Sequence, residues 1–194
     1  MKKLLVVSLT VFAVAFGSPA FARSSKNMTI GIMAMGNIQL IDTIPDIDPG
    51  PGGGVYFDYR FNQRFSITID AWATTHGGNG PSNGDEGIEF LGIPTFTIKL
   101  YFMDDEGNKW DPFAGLGLGV FALSEGSVEN STNGIGLGGQ LEVGFDYHFT
   151  NVISAGFSGV FRSAAIITSL ENTGGNNSSG MIPFSLVGRV GFHF

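Results

Sequence analysis

The chain has 194 residues, of which 43% are hydrophobic and only 14% are charged, and its formal net charge is −7. Its length suggests one domain, and its negative charge argues against nucleic acid as a partner, because phosphate binding requires a basic surface. The chain contains no cysteine, which excludes lipoprotein anchoring, thiol catalysis, zinc–thiolate sites and disulfide bonds.

The first 22 residues have the three regions of a secretory signal peptide. Lys2 and Lys3 form the positive region, an apolar run extends from Leu4 to Phe16, and Ala20-Phe21-Ala22 places small residues at a cleavage site. The apolar run is too short to span a bilayer comfortably. We therefore expect cleavage after Ala22, which leaves residues 23–194 as the folded domain.

After the signal peptide, hydrophobic residues recur at every second position in eight segments. This period is typical of β-strands, because successive side chains point to opposite faces. No later stretch reaches the roughly 18 consecutive apolar residues of a transmembrane helix, whereas a tilted strand needs only about 9–11 residues to cross a bilayer. In chain order the eight segments cover residues 29–38, 55–61, 65–71, 88–102, 114–120, 135–149, 153–167 and 182–194.

The connections between these segments alternate in length, which is the pattern of a transmembrane β-barrel with long loops outside the cell. The sequence thus predicts an all-β fold: an antiparallel, eight-stranded, up-and-down transmembrane barrel. An even strand count leaves both termini on the periplasmic side. The short connections are 62–64, 103–111 and 150–151, and the long ones are 39–53, 75–87, 124–134 and 169–180.

A soluble β-sandwich or lipocalin-like barrel is the alternative fold, with the apolar face turned inward. Three features favour the membrane barrel. The apolar face is long and unbroken, the polar face is rich in glycine and poor in charge, and aromatic residues gather near the strand ends, as interface girdles do.

Two short motifs resemble those of a known protein group. The C-terminal Val190-Gly191-Phe192-His193-Phe194 resembles the assembly signal of outer-membrane barrels, and the segment 111–119 resembles the Pro-aromatic-x-Gly-x-Gly start of a mid-barrel strand. The chain is thereby similar to the small eight-stranded outer-membrane β-barrels: OmpA/OmpX-like, opacity-protein and OmpW-like porin families. The resemblance implies a location in outer-membrane lipid of a Gram-negative cell. It also implies that Val190, Phe192 and Phe194 are read by the barrel-assembly machinery.

Members of that group serve as adhesins, stress-response barrels or narrow pores for small, often hydrophobic, molecules, and the resemblance does not choose among them. We predict a non-enzymatic barrel that is structural or binds partners at its surface. The alternative is a narrow OmpW-like pore for ions or small hydrophobic solutes.

With the apolar face turned to lipid, the opposite face carries charges into a lumen just wide enough for side chains. Such charges must be paired or hydrated. We predict a lumenal charge network of Asp70, Glu142, Arg162 and Arg189 near mid-height, either as a static polar plug or as the lining of a gated pathway. The full set of predicted inward charges is Asp58, Arg60, Asp70, Glu89, Lys99, Glu142, Asp146, Arg162 and Arg189.

The three histidines allow a weaker alternative, an outer-membrane lipid-modifying enzyme. His76 opens a long loop near Ser82, Asp85 and Glu86, but a hydrolase needs such groups held in hydrogen-bond order. His148 and His193 sit near strand ends and are interpreted as polar end groups. The sequence therefore predicts no catalytic residue, cofactor site or metal site.

The long connections carry eight acids and no lysine or arginine. A solvated acidic surface accounts for them. They could instead bind divalent cations, bridge to lipid phosphates or contact a basic partner, since carboxylates are the usual ligands of calcium. The acids are Asp42, Asp46, Asp48, Asp85, Glu86, Glu125, Glu129 and Glu171.

Overall fold

Eight antiparallel strands close into one barrel in the computed structural model, which describes residues 26–42, 48–77, 88–103, 108–125, 132–169 and 176–194. Each strand pairs with the next, and the first pairs with the last, so the predicted fold is confirmed. The predicted signal peptide lies outside the described residues. The strands are β1 Met28–Asp42, β2 Gly50–Arg60, β3 Phe65–His76, β4 Ile88–Tyr101, β5 Trp110–Glu125, β6 Thr132–His148, β7 Ile153–Ser169 and β8 Asn176–His193.

The two ends of the barrel differ. The terminal end carries both termini of the described barrel and the short connections, and the loop end carries the other four connections. At the terminal end, the β2–β3 turn closes through a backbone bond of 2.9 Å from Phe61 N to Phe65 O, and Asn62 Oδ1 accepts a bond of 2.8 Å from Arg64 N. Such a side chain folding back on its own backbone is the usual role of Asn in tight turns.

The strands at the loop end are longer than the sequence predicts. Thr132 pairs with Glu125, and Asn176 pairs with Ser169, in stretches predicted as loop. Glycine, asparagine and serine end the apolar alternation in these stretches, but the backbone ladder needs no apolar side chain to continue. The connections beyond the strands are therefore shorter than predicted.

The side chains have the reverse arrangement of a soluble protein. Leu118 and Leu137 on the outer face are each 72% exposed, whereas Ser66, Thr95 and Ser185 on the inner face are fully buried. This arrangement suits a barrel surrounded by hydrocarbon. Among the described residues no helix is long and apolar enough to cross a membrane.

One predicted inward charge is wrong. Glu89 is exposed on the outer face and Phe90 is fully buried inside, the opposite of the prediction. The register shifts between Gly92 and Thr95, where Ile93 and Pro94 are both exposed. Proline lacks the N–H that a ladder needs, so an irregularity at this point is expected. The irregularity shifts the alternation of inward and outward side chains by one residue. The residues of β4 before it therefore lie on the opposite face from the one predicted.

The lumen changes from polar to apolar along its length. Polar and charged side chains fill it from the terminal end to mid-height, and an apolar cluster lies towards the loop end, where Asn37, Thr74 and His76 are also buried. Glycines make room for this cluster: a Cβ at Gly92 would lie 2.5 Å from the Trp72 ring, and one at Gly138 would lie 2.8 Å from Phe121. The apolar cluster comprises Met35, Trp72, Phe90, Phe121, Leu123, Val160, Ala164, Ile166, Met181 and Val187.

The outward face of β6 offers a test of which residues lie at the middle of the bilayer. Leu141→Arg, near the middle of the strand, should lower the free energy of unfolding by about 2–4 kcal/mol, because a cation at the bilayer midplane is poorly solvated. Ile135→Arg, near the loop end of the same face, is the matched control and should cost at most about 1 kcal/mol. Denaturant unfolding of the barrel in lipid vesicles measures both. Equal losses in the free energy of unfolding for the two variants would contradict the assignment of Leu141 to the middle of the bilayer.

Candidate functional site

Arg189 is the centre of the polar half of the lumen. Its Nη1 lies 3.0 Å from Glu142 Oε1, and its Nε lies 2.9 Å from Asp146 Oδ1. The two acids are four residues apart on β6, so both project from the same face of the strand towards β8. Lys99 Nζ approaches Glu142 Oε2 at 3.7 Å. These four residues, Lys99, Glu142, Asp146 and Arg189, form what we name the polar layer.

Aromatic rings support the cations of this region. Phe113 lies between two of them, with its ring centre 4.8 Å from Lys99 Nζ and 4.5 Å from Arg189 Cζ. Nearer the terminal end, Arg60 pairs with Asp111 at 2.9 Å and lies 3.7 Å over the Tyr101 ring. Cation–π contacts of this kind are strengthened where water is excluded. The rings thus pack against the cations of the lumen.

Arg162 sits at the boundary between the polar layer and the apolar cluster. Its Nε donates to Gln140 Oε1 at 3.2 Å, and its Nη1 donates to Ser185 Oγ at 2.6 Å. Its guanidinium stacks 4.2 Å over the Trp72 ring. In the part of the chain that the structure describes, these direct contacts are to neutral groups.

Two small cavities lie beside the polar layer. One faces the terminal end and the other lies near mid-height, and Tyr56, Lys99 and Arg189 line both. Each offers about 20 Å³ to the centre of a water molecule, enough for one or two waters. Lys99, Glu142 and Arg189, which are buried, occupy the lumen between the two cavities.

The structure brings the predicted network residues around one cavity. Asp70, Glu142, Arg162 and Arg189 all line the mid-height cavity. Glu142 and Arg189 are in direct contact, whereas Asp70 accepts a hydrogen bond from Thr95 Oγ1. The predicted network omits two residues: Asp146, which pairs with Arg189, and Gln140, which accepts a hydrogen bond from Arg162. The spacing of four residues between Glu142 and Asp146 is the sequence signal that could have identified Asp146, because it places both on the same face of the strand.

His76 is the last residue of β3, where it is 2% exposed. Its Nδ1 lies 2.9 Å from the Asp48 carbonyl oxygen, and its Nε2 lies 3.0 Å from Thr74 Oγ1. Asp48 N donates to Gly77 O at 3.0 Å. His76 therefore fastens the chain entering β2 to the end of β3. Its predicted neighbours Ser82, Asp85 and Glu86 lie outside the described residues.

Of the eight predicted loop acids, Asp48 is described with its side chain, which is exposed. Asp42 and Glu125 are the ends of β1 and β5. The remaining five (Asp46, Asp85, Glu86, Glu129 and Glu171) lie outside the described residues. Within the described ranges no group of three or more histidine, aspartate or glutamate side chains is arranged to hold a metal ion.

The predicted assembly residues lie at the end of β8. Val190 and Phe192 are on its outer face, 40% and 51% exposed, and Phe194 follows the strand. Phe194 is tied to the first strand, because its N–H donates to Met28 O at 2.9 Å. The last apolar residues are therefore part of the seam between β1 and β8.

Comparison with known proteins gives one family and several solved structures with the same fold. The family described as outer membrane protein beta-barrel domain matches residues 8–192. The OprG structure from Pseudomonas aeruginosa is 16% identical, with 89% of this chain and 98% of that chain covered and a TM-score of 0.58. Neisserial surface protein A is 12% identical, with coverages of 86% and 97% and a TM-score of 0.64.

The solution structure of Escherichia coli outer membrane protein W is 16% identical, with coverages of 88% and 99% and a TM-score of 0.56. At these identities the three structures share the fold with this chain. No curated protein sequence matches the chain.

Removal of the central guanidinium should destabilise the barrel. Arg189→Met leaves Glu142 and Asp146 buried without their shared partner, and the free energy of unfolding should fall by about 3–5 kcal/mol. Adding Asp146→Asn removes the carboxylate that is left without a cation, while Glu142 keeps Lys99 at 3.7 Å, so the double variant should recover part of the loss. Urea unfolding in lipid vesicles, followed by tryptophan fluorescence, measures both variants. A double variant no more stable than the single one would show that charge pairing is not what Arg189 supplies.

Proposed function

The chain belongs to the outer membrane protein β-barrel domain family, and we propose that it is a non-enzymatic barrel with a closed lumen that acts through its loop-end surface. Membership of the family implies the outer membrane of a Gram-negative cell. We further propose that both termini face the periplasm. The predicted signal peptide and the short connections at the terminal end support that orientation.

The packed lumen is the observation that carries this proposal. The polar layer spans the lumen between the two small cavities. Beyond it, the rings of Phe90 and Phe121 stack with centres 5.7 Å apart, and Trp72 meets Phe90 at 5.3 Å. An ion crossing this path would have to break buried salt bridges and then enter an apolar region, where an unpaired charge is very costly. A resting ion pore is therefore disfavoured.

The loop end supplies the surface that a partner would meet. The eight acids of the connections and strand ends carry no compensating lysine or arginine in the same segments. Carboxylates in that density attract divalent cations or a basic protein or polymer, and such attraction weakens as salt increases. We propose a basic partner at this surface, with divalent cations as bridges to lipid phosphates.

The apolar cluster favours a second candidate, a narrow pathway for small hydrophobic solutes. It lines the loop-end half of the lumen with aromatic and aliphatic side chains. An uncharged solute could occupy such a region if the rings moved apart. A lipid-modifying enzyme has weaker support, because the described contacts of His76 fasten β3 to the chain before β2.

The closed lumen predicts no unitary current. The refolded barrel in a planar bilayer should show no discrete openings, because the polar layer and the apolar cluster both obstruct ions. The Arg162→Ala/Arg189→Ala variant should also be silent while the apolar cluster is intact. Folding is checked by gel mobility before and after heating. Discrete wild-type openings that change in the variant would instead establish an ion pathway.

The acidic surface predicts salt-dependent binding of a polycation. Wild-type barrel in neutral-lipid vesicles should bind poly-lysine, and binding should weaken steeply between low and high salt. A variant with the eight acids changed to asparagine or glutamine should fold but lose binding. A variant with Glu89→Gln alone is the control, since that acid lies on the outer wall. Undiminished binding by the eightfold variant would exclude the acids as the binding surface.

A further inference from the structure

His193 joins three strands at the terminal end of the barrel. It lies on the inner face of β8 and is 8% exposed. Its Nδ1 lies 2.9 Å from Thr29 Oγ1 on β1, and its Nε2 lies 2.8 Å from Ser154 Oγ on β7. The β1–β8 seam is where the barrel closes on itself. The imidazole therefore fastens the seam to the neighbouring strand.

His148 lies beside this imidazole and has a different environment. The two ring centres are 5.1 Å apart. His148 is 3% exposed, and neither of its ring nitrogens has a hydrogen-bond partner. Its Nε2 is 3.7 Å from Asp111 Oδ2, beyond hydrogen-bond range. The ring of His148 is therefore positioned by packing and not by hydrogen bonds.

The charged groups around His148 and His193 accommodate one additional positive charge more readily than two. The nearby carboxylates already have partners: Asp111 pairs with Arg60, Asp146 pairs with Arg189, and Asp58 accepts from Ser66 and Thr68. Lys26 Nζ donates to His193 O at 3.2 Å, so another cation stands at the rim. The charged and phenolic groups that line the cavity with the two histidines are Lys26, Tyr56, Asp58, Arg60, Lys99, Tyr101, Asp146 and Arg189.

We propose that His148 and His193 form an acid-sensitive clasp on the β1–β8 seam, closed while the imidazoles are neutral and released when both are protonated. A first proton on His148 faces Asp111, but a second on His193 places two cations about 5 Å apart at a site poor in water, where repulsion is strong. Opening the strand ends lets water solvate both charges. The open form therefore binds more protons, and falling pH favours it.

The seam amides report this opening directly. Across the seam, Phe194 N donates to Met28 O at 2.9 Å and Met28 N donates to Phe194 O at 3.3 Å, and on the β7 side His193 N donates to Val152 O at 2.7 Å. Hydrogen exchange of these amides in lipid nanodiscs, corrected for the intrinsic rate at each pH, should show protection falling between pH 7 and pH 4. For each proton taken up on opening, the opening constant rises about tenfold per pH unit.

A matched set of variants isolates the two histidines. His148→Gln/His193→Gln keeps groups that can bond to Thr29 and Ser154 but cannot titrate, so its seam protection should fall much less between pH 7 and pH 4 than that of the wild type. His76→Gln removes the third histidine, at the loop end, and should behave as the wild type does. Equal loss of protection in the wild type and the double variant, or none in either, would overturn the clasp.

A titration of the wild type keeps the proposal testable if the double variant does not fold. The histidine ring signals should shift in a coupled manner as pH falls, and His148→Gln should change the titration of His193, because each proton affects the other. Independent titrations, with His193 unaffected by loss of His148, would refute the clasp.

Discussion

Backbone hydrogen bonding in a medium without water is the constraint on which the whole structure depends. A strand in hydrocarbon cannot leave its N–H and C=O groups unpaired, because each unsatisfied group costs several kcal/mol, and only a closed ladder satisfies all strands. Here the first and last strands meet along most of their length, from Thr29 opposite His193 to Asp42 opposite Met181. The end of the chain is therefore bonded in the seam, with Phe194 tied to Met28.

Closure creates a second constraint inside the barrel. Eight strands enclose a space that side chains fill, so the inward side chains must pack against one another and their charges must be paired. In the polar half Arg189 satisfies Glu142 and Asp146 together. In the other half Phe90, Phe121 and Trp72 fill the space with rings. Arg162 lies between the halves, with hydrogen bonds on one side and the Trp72 ring on the other. The lumen is thus polar on one side of Arg162 and mainly apolar on the other.

The period-2 pattern was sufficient for the strand count, the pairing order and the lipid-facing side of most strands, since each apolar face is long enough to dominate its segment. It predicted the wrong faces for Glu89 and Phe90. Apolar residues alternate regularly on both sides of the register shift near Pro94, so the alternation gives no sign of that shift. The pattern also ended strands early where Asn176 and Thr132 continue the ladder, because backbone pairing extends beyond apolar residues. The predicted loop acids fall mainly outside the described residues, so their role is still a prediction.

The sequence alone determined that this chain forms a membrane barrel and that charges project into it. These properties follow from local chemistry: the period of side chains along a strand and the cost of burying charge. Which charges meet depends on the tertiary structure, because Glu142 and Asp146 face Arg189 through a ladder register set by the whole barrel. The tertiary structure alone also revealed the apolar cluster and the contact between His148 and His193. Residues far apart in the chain become neighbours only when the barrel closes.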